Sequence, residues 1–126
     1  MTNRYRAAAQ FRTALRQFLR KSEDVARSAG LTPRQHLLLL QIAAAPEERT
    51  TVSELVRKLA LTQSAVTELV QRAEQAGLVG RAVSAADGRV VHLSLTPEGE
   101  KRLARAHAEL GPERAELRRV VDELDD

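Results

Sequence analysis

The spacing of apolar residues predicts helices along most of this chain. From residue 4 to residue 28 they recur every three or four positions, which is typical of an amphipathic helix with charged outer faces. Residues 33–45 are apolar on nearly every side, so this second helix should lie at the centre of the fold. Near the C-terminus, residues 97–110 and 113–124 predict two more helices, separated by a Gly-Pro pair, with residues 46–49 left as a loop.

Two shorter helices are predicted between these regions, joined by a tight turn. Thr51 and Glu54 have the spacing of a capping box, and the helix that they open should cover residues 52–60. Thr62 can cap the next helix, which runs over residues 63–76 and ends at a glycine. Two helices joined in this way place the second one where it can enter the major groove of DNA.

A β-hairpin should follow the two short helices. Apolar and polar residues alternate over residues 79–84 and 90–95, and the Asp-Gly pair between them favours a tight hairpin turn. The predicted fold is therefore mainly helical with a small β-hairpin wing (class α+β), a winged helix-turn-helix between N- and C-terminal helices. At 126 residues, one domain is expected.

Charge and composition narrow the function. Residues 1–30 hold seven basic and two acidic groups, and residues 97–126 hold six basic and nine acidic ones, so the two ends should attract each other. Residues 50–96 hold five basic and four acidic groups, so DNA affinity there must come from well-placed side chains rather than bulk charge. The absence of cysteine excludes disulfides and thiolate metal sites.

Several classes of protein find no support in the sequence. No run of about 18 apolar residues predicts a membrane span, and the charged N-terminus is unlike a secretory signal, so a cytoplasmic protein is expected. No catalytic cluster and no glycine-rich phosphate loop is present, so we expect no enzyme. The three histidines are scattered over separate elements, so we expect no metal and no cofactor.

Four short motifs follow one another between residues 31 and 99: Leu31-Thr32-Pro33-Arg34-Gln35, Ser64-Ala65-Val66-Thr67, Glu74-Gln75-Ala76-Gly77-Leu78-Val79, and Asp87-Gly88-Arg89 followed by Leu93-Ser94-Leu95-Thr96-Pro97-Glu98-Gly99. In this order and spacing they resemble the multiple antibiotic resistance regulator (MarR) family. The resemblance implies a homodimer whose dimerisation helices are residues 1–30 and 97–126, with residues 31–96 as the winged helix-turn-helix. It also implies a repressor on a pseudo-palindromic double-stranded DNA operator, released by a small aromatic or anionic effector.

The resemblance and the helical pattern together mark the residues that we expect to contact DNA. The outward side of the second short helix should enter the major groove, with Thr62 at its start. Arg89 should enter the flanking minor groove, and Asp87 should position an arginine of the wing. Thr51 and Ser53 lie at a helix N-terminus, where backbone N–H groups favour phosphate, although capping explains them equally well. The predicted DNA-binding set is Thr51, Ser53, Thr62, Gln63, Ser64, Ala65, Thr67, Glu68, Gln71, Arg72, Arg81, Asp87 and Arg89.

An effector pocket is predicted between the dimerisation helices and the winged domain, lined by Phe11, Phe18, His36 and Leu39. Two positions depart from the pattern that the family implies. Ala60 stands in the turn where glycine is common, and Glu68 stands where many members carry a basic residue. Glu68 and the near neutrality of residues 50–96 motivate an alternative function, a winged helix that binds a protein partner without strong DNA binding.

Overall fold

Six helices and a three-stranded sheet make up residues 3–124, the part of the chain that the computed structural model describes. Residues 1–2 and 125–126 of the predicted dimerisation segments lie outside it. The elements are α1 (Arg6–Ser28), α2 (Pro33–Ala44), a 3-10 turn (Pro46–Glu48), β1 (Arg49–Thr50), α3 (Val52–Leu59), α4 (Gln63–Gln75), β2 (Val79–Val83), β3 (Val91–Leu95), α5 (Pro97–Glu109) and α6 (Gly111–Asp122). The predicted fold class is confirmed. Among these residues, no helix combines the length and the apolar character needed to cross a bilayer.

A threonine begins each of the helices α2 to α5. Its hydroxyl oxygen accepts a hydrogen bond from the backbone N–H three residues later, a cap worth about 1 kcal/mol. The four pairs are Thr32 with Gln35 (3.1 Å), Thr51 with Glu54 (3.2 Å), Thr62 with Ala65 (3.1 Å) and Thr96 with Gly99 (3.1 Å). Among these four, the capping box is complete at Thr32. The box predicted at Thr51 is half formed: Thr51 accepts the Glu54 N–H, and the Glu54 carboxylate accepts from Arg57.

Helix α2 lies at the centre of the core, as its apolar sequence predicts. Leu38, Leu39 and Ile42 have no exposed surface, and they belong to one cluster with side chains from α3, α4 and both long strands. Two leucines depart from the prediction, since Leu37 and Leu40 remain exposed. Helix α2 is therefore apolar on one face that the single chain does not cover.

The first and last helices pack against each other. Helix α1 lies along α6 and also contacts α5, where Val25 and Ala29 form a small cluster with Ala106 and Leu110. Helix α6 begins at Gly111 rather than at residue 113, because Pro112 fits the first turn of a helix, where its missing N–H is not needed. Leu19 on α1 is 55% exposed, although its spacing predicts an inward position.

The sheet has the order β1-β3-β2, with antiparallel pairs throughout. Strand β1 corrects the predicted loop over residues 46–49: Arg49 pairs with Ser94, and Thr50 pairs with Leu93. A strand of two residues has no periodicity of its own and forms only because β3 offers it an edge. The hairpin tip also differs from the prediction, because neither Asp87 nor Gly88 has the positive φ that a tight Asp-Gly turn requires.

Ala60 occupies the turn between α3 and α4 in a left-handed conformation, with φ 54° and ψ 40°. Replacing Ala60 with glycine should raise the free energy of unfolding by about 0.5–1 kcal/mol, because glycine adopts this conformation without a Cβ clash. Urea denaturation measures the change. Ala76→Gly is the matched control, since Ala76 follows α4 with φ −79° and gains nothing from glycine. Equal shifts in the two variants would contradict the interpretation of Ala60 as strained.

Candidate nucleic-acid interface

Helix α4 presents a polar side to solvent. Val66, Val70 and Ala73 are fully buried and hold the helix against the core. Of the predicted outward residues, Ala65 and Thr67 are half-buried, and the exposed ones are Gln63, Ser64, Glu68, Gln71 and Arg72, with Thr62 exposed at the start. The 13 residues of α4 make a rod of about 20 Å. Small or polar side chains leave it slim enough for a major groove about 12 Å wide.

Thr51 and Ser53 lie at the N-terminus of α3. The Thr51 side chain is half-buried and accepts the backbone N–H of Glu54, so capping already accounts for it. Ser53 is exposed. Phosphate binding at this helix end stays a prediction.

The wing ends in a loop, residues 84–90, that its own side chains hold in shape. The Ser84 hydroxyl accepts the backbone N–H groups of Ala86 (3.2 Å) and Asp87 (3.3 Å). The Asp87 carboxylate accepts both the backbone N–H (3.0 Å) and the side-chain Nε (3.3 Å) of Arg89, so the wing arginine that contacts Asp87 is Arg89. The Arg89 side chain is 93% exposed. Its two terminal nitrogens therefore project from the tip, where a duplex could meet them.

Arg81 lies at the base of the wing and contacts helix α4. Its Nε and one terminal nitrogen donate to the two oxygens of Glu74, at 2.8 Å and 2.5 Å. These hydrogen bonds hold the pKa of Glu74 below its ordinary value and raise the pKa of Arg81. The sequence analysis places Arg81 among the DNA contacts, yet two of its donors are already committed to a carboxylate.

Several arginines of the winged segment are paired with nearby carboxylates. The pairs are Arg49–Glu47, Arg57–Glu54, Arg72–Glu68, Arg81–Glu74 and Arg89–Asp87. The Arg72–Glu68 pair, at 2.7 Å, places a cation beside the acidic residue that departs from the family pattern. An exposed ion pair such as Arg72–Glu68 contributes at most about 1 kcal/mol, so a phosphate can replace Glu68 at small cost.

The four residues of the predicted effector pocket offer little surface to a ligand. Leu39 is fully buried in the core, and His36 is 5% exposed. Burial, together with the nearby His107, lowers the pKa of His36, which favours the neutral imidazole over the cation that would attract an anion. Phe11 and Phe18 are half-buried on α1. The effector stays a prediction.

A cavity of about 570 Å³ does lie beside α2, but its lining differs from the predicted set. Its lining combines apolar side chains of α2 and α5, such as Leu40 and Leu103, with His107 and three carboxylates, Glu47, Glu48 and Glu100. Sequence reasoning also missed Glu74, which lies on the far side of a turn from its partner Arg81. The signal in the sequence that could have indicated this contact is the presence of an acidic residue before Gly77 and a basic residue after it.

Comparison with known proteins agrees with this architecture. A model of the MarR family matches residues 29–90. The chain is 37% identical over 71 residues to the HTH-type transcriptional repressor MdtR of Bacillus subtilis, a match that covers 56% of this chain and 44% of MdtR. The chain thus spans about half the length of the curated relatives it matches.

Solved structures share the fold. Apo MarR from E. coli superposes with a TM-score of 0.72 at 24% identity, over 86% of this chain and 79% of MarR. A point mutant of S. aureus MepR, solved bound to an oligodeoxyribonucleotide, superposes with a TM-score of 0.73 at 21% identity, over 94% of this chain and 84% of MepR. Through residues 29–90, which hold α2, the helix-turn-helix and the first half of the wing, the chain belongs to the MarR family of winged-helix regulators.

Proposed function

We propose that this protein is a cytoplasmic transcriptional regulator that binds double-stranded DNA as a homodimer, most simply as a repressor. The observation that carries the proposal is the exposed polar side of α4, set beside a wing whose tip presents Arg89. A helix in the major groove and an arginine in the adjacent minor groove together form a recognised mode of DNA contact. The names of the relatives agree with this function: MdtR is called a repressor, and MepR was solved with DNA.

The proposed dimer rests on apolar surface that one chain leaves uncovered. Tyr5 and Leu19 on the N-terminal side, and Val121 and Leu124 at the C-terminal end, are all exposed. A second copy would bury these side chains, and a two-fold axis would present two α4 helices to one face of DNA. Half-sites about 10 bp apart, or a multiple of that, would match the pitch of the duplex.

A binding titration tests the proposal directly. Duplexes selected from a random library, and the chain's own promoter, are titrated while fluorescence anisotropy reports binding. We expect submicromolar affinity that falls as salt rises, because phosphate contacts release counterions. Binding that ignores sequence and salt, or no binding by a folded dimer, would favour the alternative of a protein-interaction module.

Arg89→Ala tests the wing tip. We expect affinity for duplexes with A·T-rich flanks to fall about tenfold, because a narrow minor groove concentrates the negative potential that attracts a guanidinium. The slope of log affinity against log salt should also become shallower. Arg105→Ala is the control, since Arg105 pairs with Glu109 on α5, outside the winged segment. If Arg89→Ala leaves the slope of log affinity against log salt unchanged, the wing tip does not contact DNA.

A further inference from the structure

The contact between Glu74 and Arg81 joins the two elements that would touch DNA. Glu74 lies in the last turn of α4, and Arg81 lies in the middle of β2, the first strand of the wing. Both guanidinium-to-carboxylate hydrogen bonds are short, at 2.8 Å and 2.5 Å, and they engage both carboxylate oxygens. A bidentate pair of this kind fixes orientation as well as distance.

Few other polar contacts join α4 to the wing at this point in the described chain. Between the two elements the chain turns at Gly77, which adopts a φ of 75°. Glycine reaches this conformation easily because it has no β-carbon. The Thr96 hydroxyl donates to the Gly77 carbonyl (2.6 Å) and fixes the turn itself. Beyond that turn the wing projects towards solvent: Arg81, Ala82 and Val83 are all exposed. Strand β2 is paired with β3 along its length, and the Arg81 contact is a side-chain link that ties these two strands to the end of α4.

We propose that Arg81 is a positioning residue, whose bidentate pair with Glu74 holds the wing at a fixed angle to α4. This inference rests on the proposed function and revises the sequence-based assignment of Arg81 as a direct DNA contact. With the angle fixed, Arg89 at the tip reaches the groove next to the one that α4 enters. Without the Glu74–Arg81 pair, the wing must become ordered when the protein binds DNA. The entropy lost in that ordering lowers the affinity.

Glu74→Gln separates the two roles of Arg81, because they predict changes of opposite sign. If Arg81 contacts phosphate, removal of the Glu74 charge releases a cation and binding becomes tighter. If Arg81 positions the wing, binding becomes about 5- to 10-fold weaker, although the protein has lost a negative charge. Glu54→Gln is the matched control: it breaks the Arg57 pair within α3, which joins no two elements, and affinity should hold or rise. Tighter binding by Glu74→Gln would overturn the proposal.

A charge swap adds a second test. In Glu74→Arg combined with Arg81→Glu, the pair can re-form with its ends exchanged. Positioning predicts that the double variant recovers most of the affinity that Arg81→Glu alone loses. A direct phosphate contact predicts only the gain that Glu74→Arg alone gives the parent, because residue 81 stays acidic. Neither side chain is buried in the core, so all of these variants should fold, and thermal denaturation verifies this.

A distance measurement in the free protein needs no DNA. The chain has no cysteine, so Gln71→Cys on α4 and Ala85→Cys at the wing tip accept spin labels without background. Labelled chain is mixed with excess unlabelled chain, and pulsed electron resonance gives the distribution of distances. We expect a narrow distribution in the parent, a broad one with Glu74→Gln, and a narrow one again with the charge swap.

The outcomes distinguish this proposal from the proposed function. A parent chain that binds no duplex overturns both. A parent chain that binds DNA, together with a Glu74→Gln variant whose affinity and distance distribution are unchanged, overturns only the role of Arg81. A broadened distribution together with weaker binding supports both.

Discussion

Gly99→Ala should lower the free energy of unfolding by about 3 kcal/mol. Gly99 lies in the first turn of α5, and a β-carbon placed there would overlap the carbonyl oxygen of Leu78. That carbonyl accepts the Thr96 N–H at 3.1 Å, and Thr96 in turn donates to Gly77 at 2.6 Å. Overpacking costs about 1–3 kcal/mol, and each weakened hydrogen bond adds about 1 kcal/mol.

Thermal and urea denaturation measure the Gly99 effect at one protein concentration, since a dimer's midpoint depends on concentration. The midpoint temperature should fall by roughly 10 °C. Gly80→Ala is the control: within the described part of the chain nothing lies within 4 Å of its added β-carbon, and its backbone angles suit alanine. If both variants unfold at the same temperature, the close approach of α5 to the turn after α4 does not contribute to the free energy of unfolding.

Gln71→Glu should weaken DNA binding about 100-fold. Gln71 lies on the exposed side of α4, where the proposed function places base edges. The amide can donate and accept at once, as a bidentate contact to adenine requires, whereas a carboxylate only accepts. A lost contact of this kind costs about 1–3 kcal/mol, and the added charge lies among phosphates.

Anisotropy titration against a selected duplex measures the Gln71 effect, with Gln10→Glu as the control. Gln10 is exposed on α1, so that variant makes the same change in net charge away from α4. We expect the control to lose little affinity, and Gln71→Ala to change base preference at particular positions. Equal losses for the two glutamate variants would show that net charge, and not contact at residue 71, decides binding.

Local signals predicted most of the fold. Thr51 and Thr62 predict where α3 and α4 begin, because a cap depends only on residues within one turn. The buried side of α4 follows equally from periodicity. In contrast, β1 depends on Leu93, which is distant in sequence, and no pattern within Arg49–Thr50 could indicate it.

The sequence predicted which residues of the candidate site are exposed better than it predicted which residues contact each other. Helical spacing predicts which side of α4 carries Gln71 and Arg72, and the structure agrees. That Arg81 turns back to Glu74 depends on the path of the chain through Gly77, which spacing does not specify. The burial of Leu39 has the same origin: on a helix that is apolar all round, only tertiary packing decides which leucines are covered.

The packing of α1 against α6 has a consequence for how the chain is made. The first helix leaves the ribosome roughly 80–90 residues before its partner, and at roughly 5–20 residues per second it waits on the order of 10 s. During that time the apolar side around Ala14 lacks the cover that α6 gives it. Arg12, Arg16 and Arg20 are exposed on the outer face, so their charges favour hydration of the nascent segment during that interval.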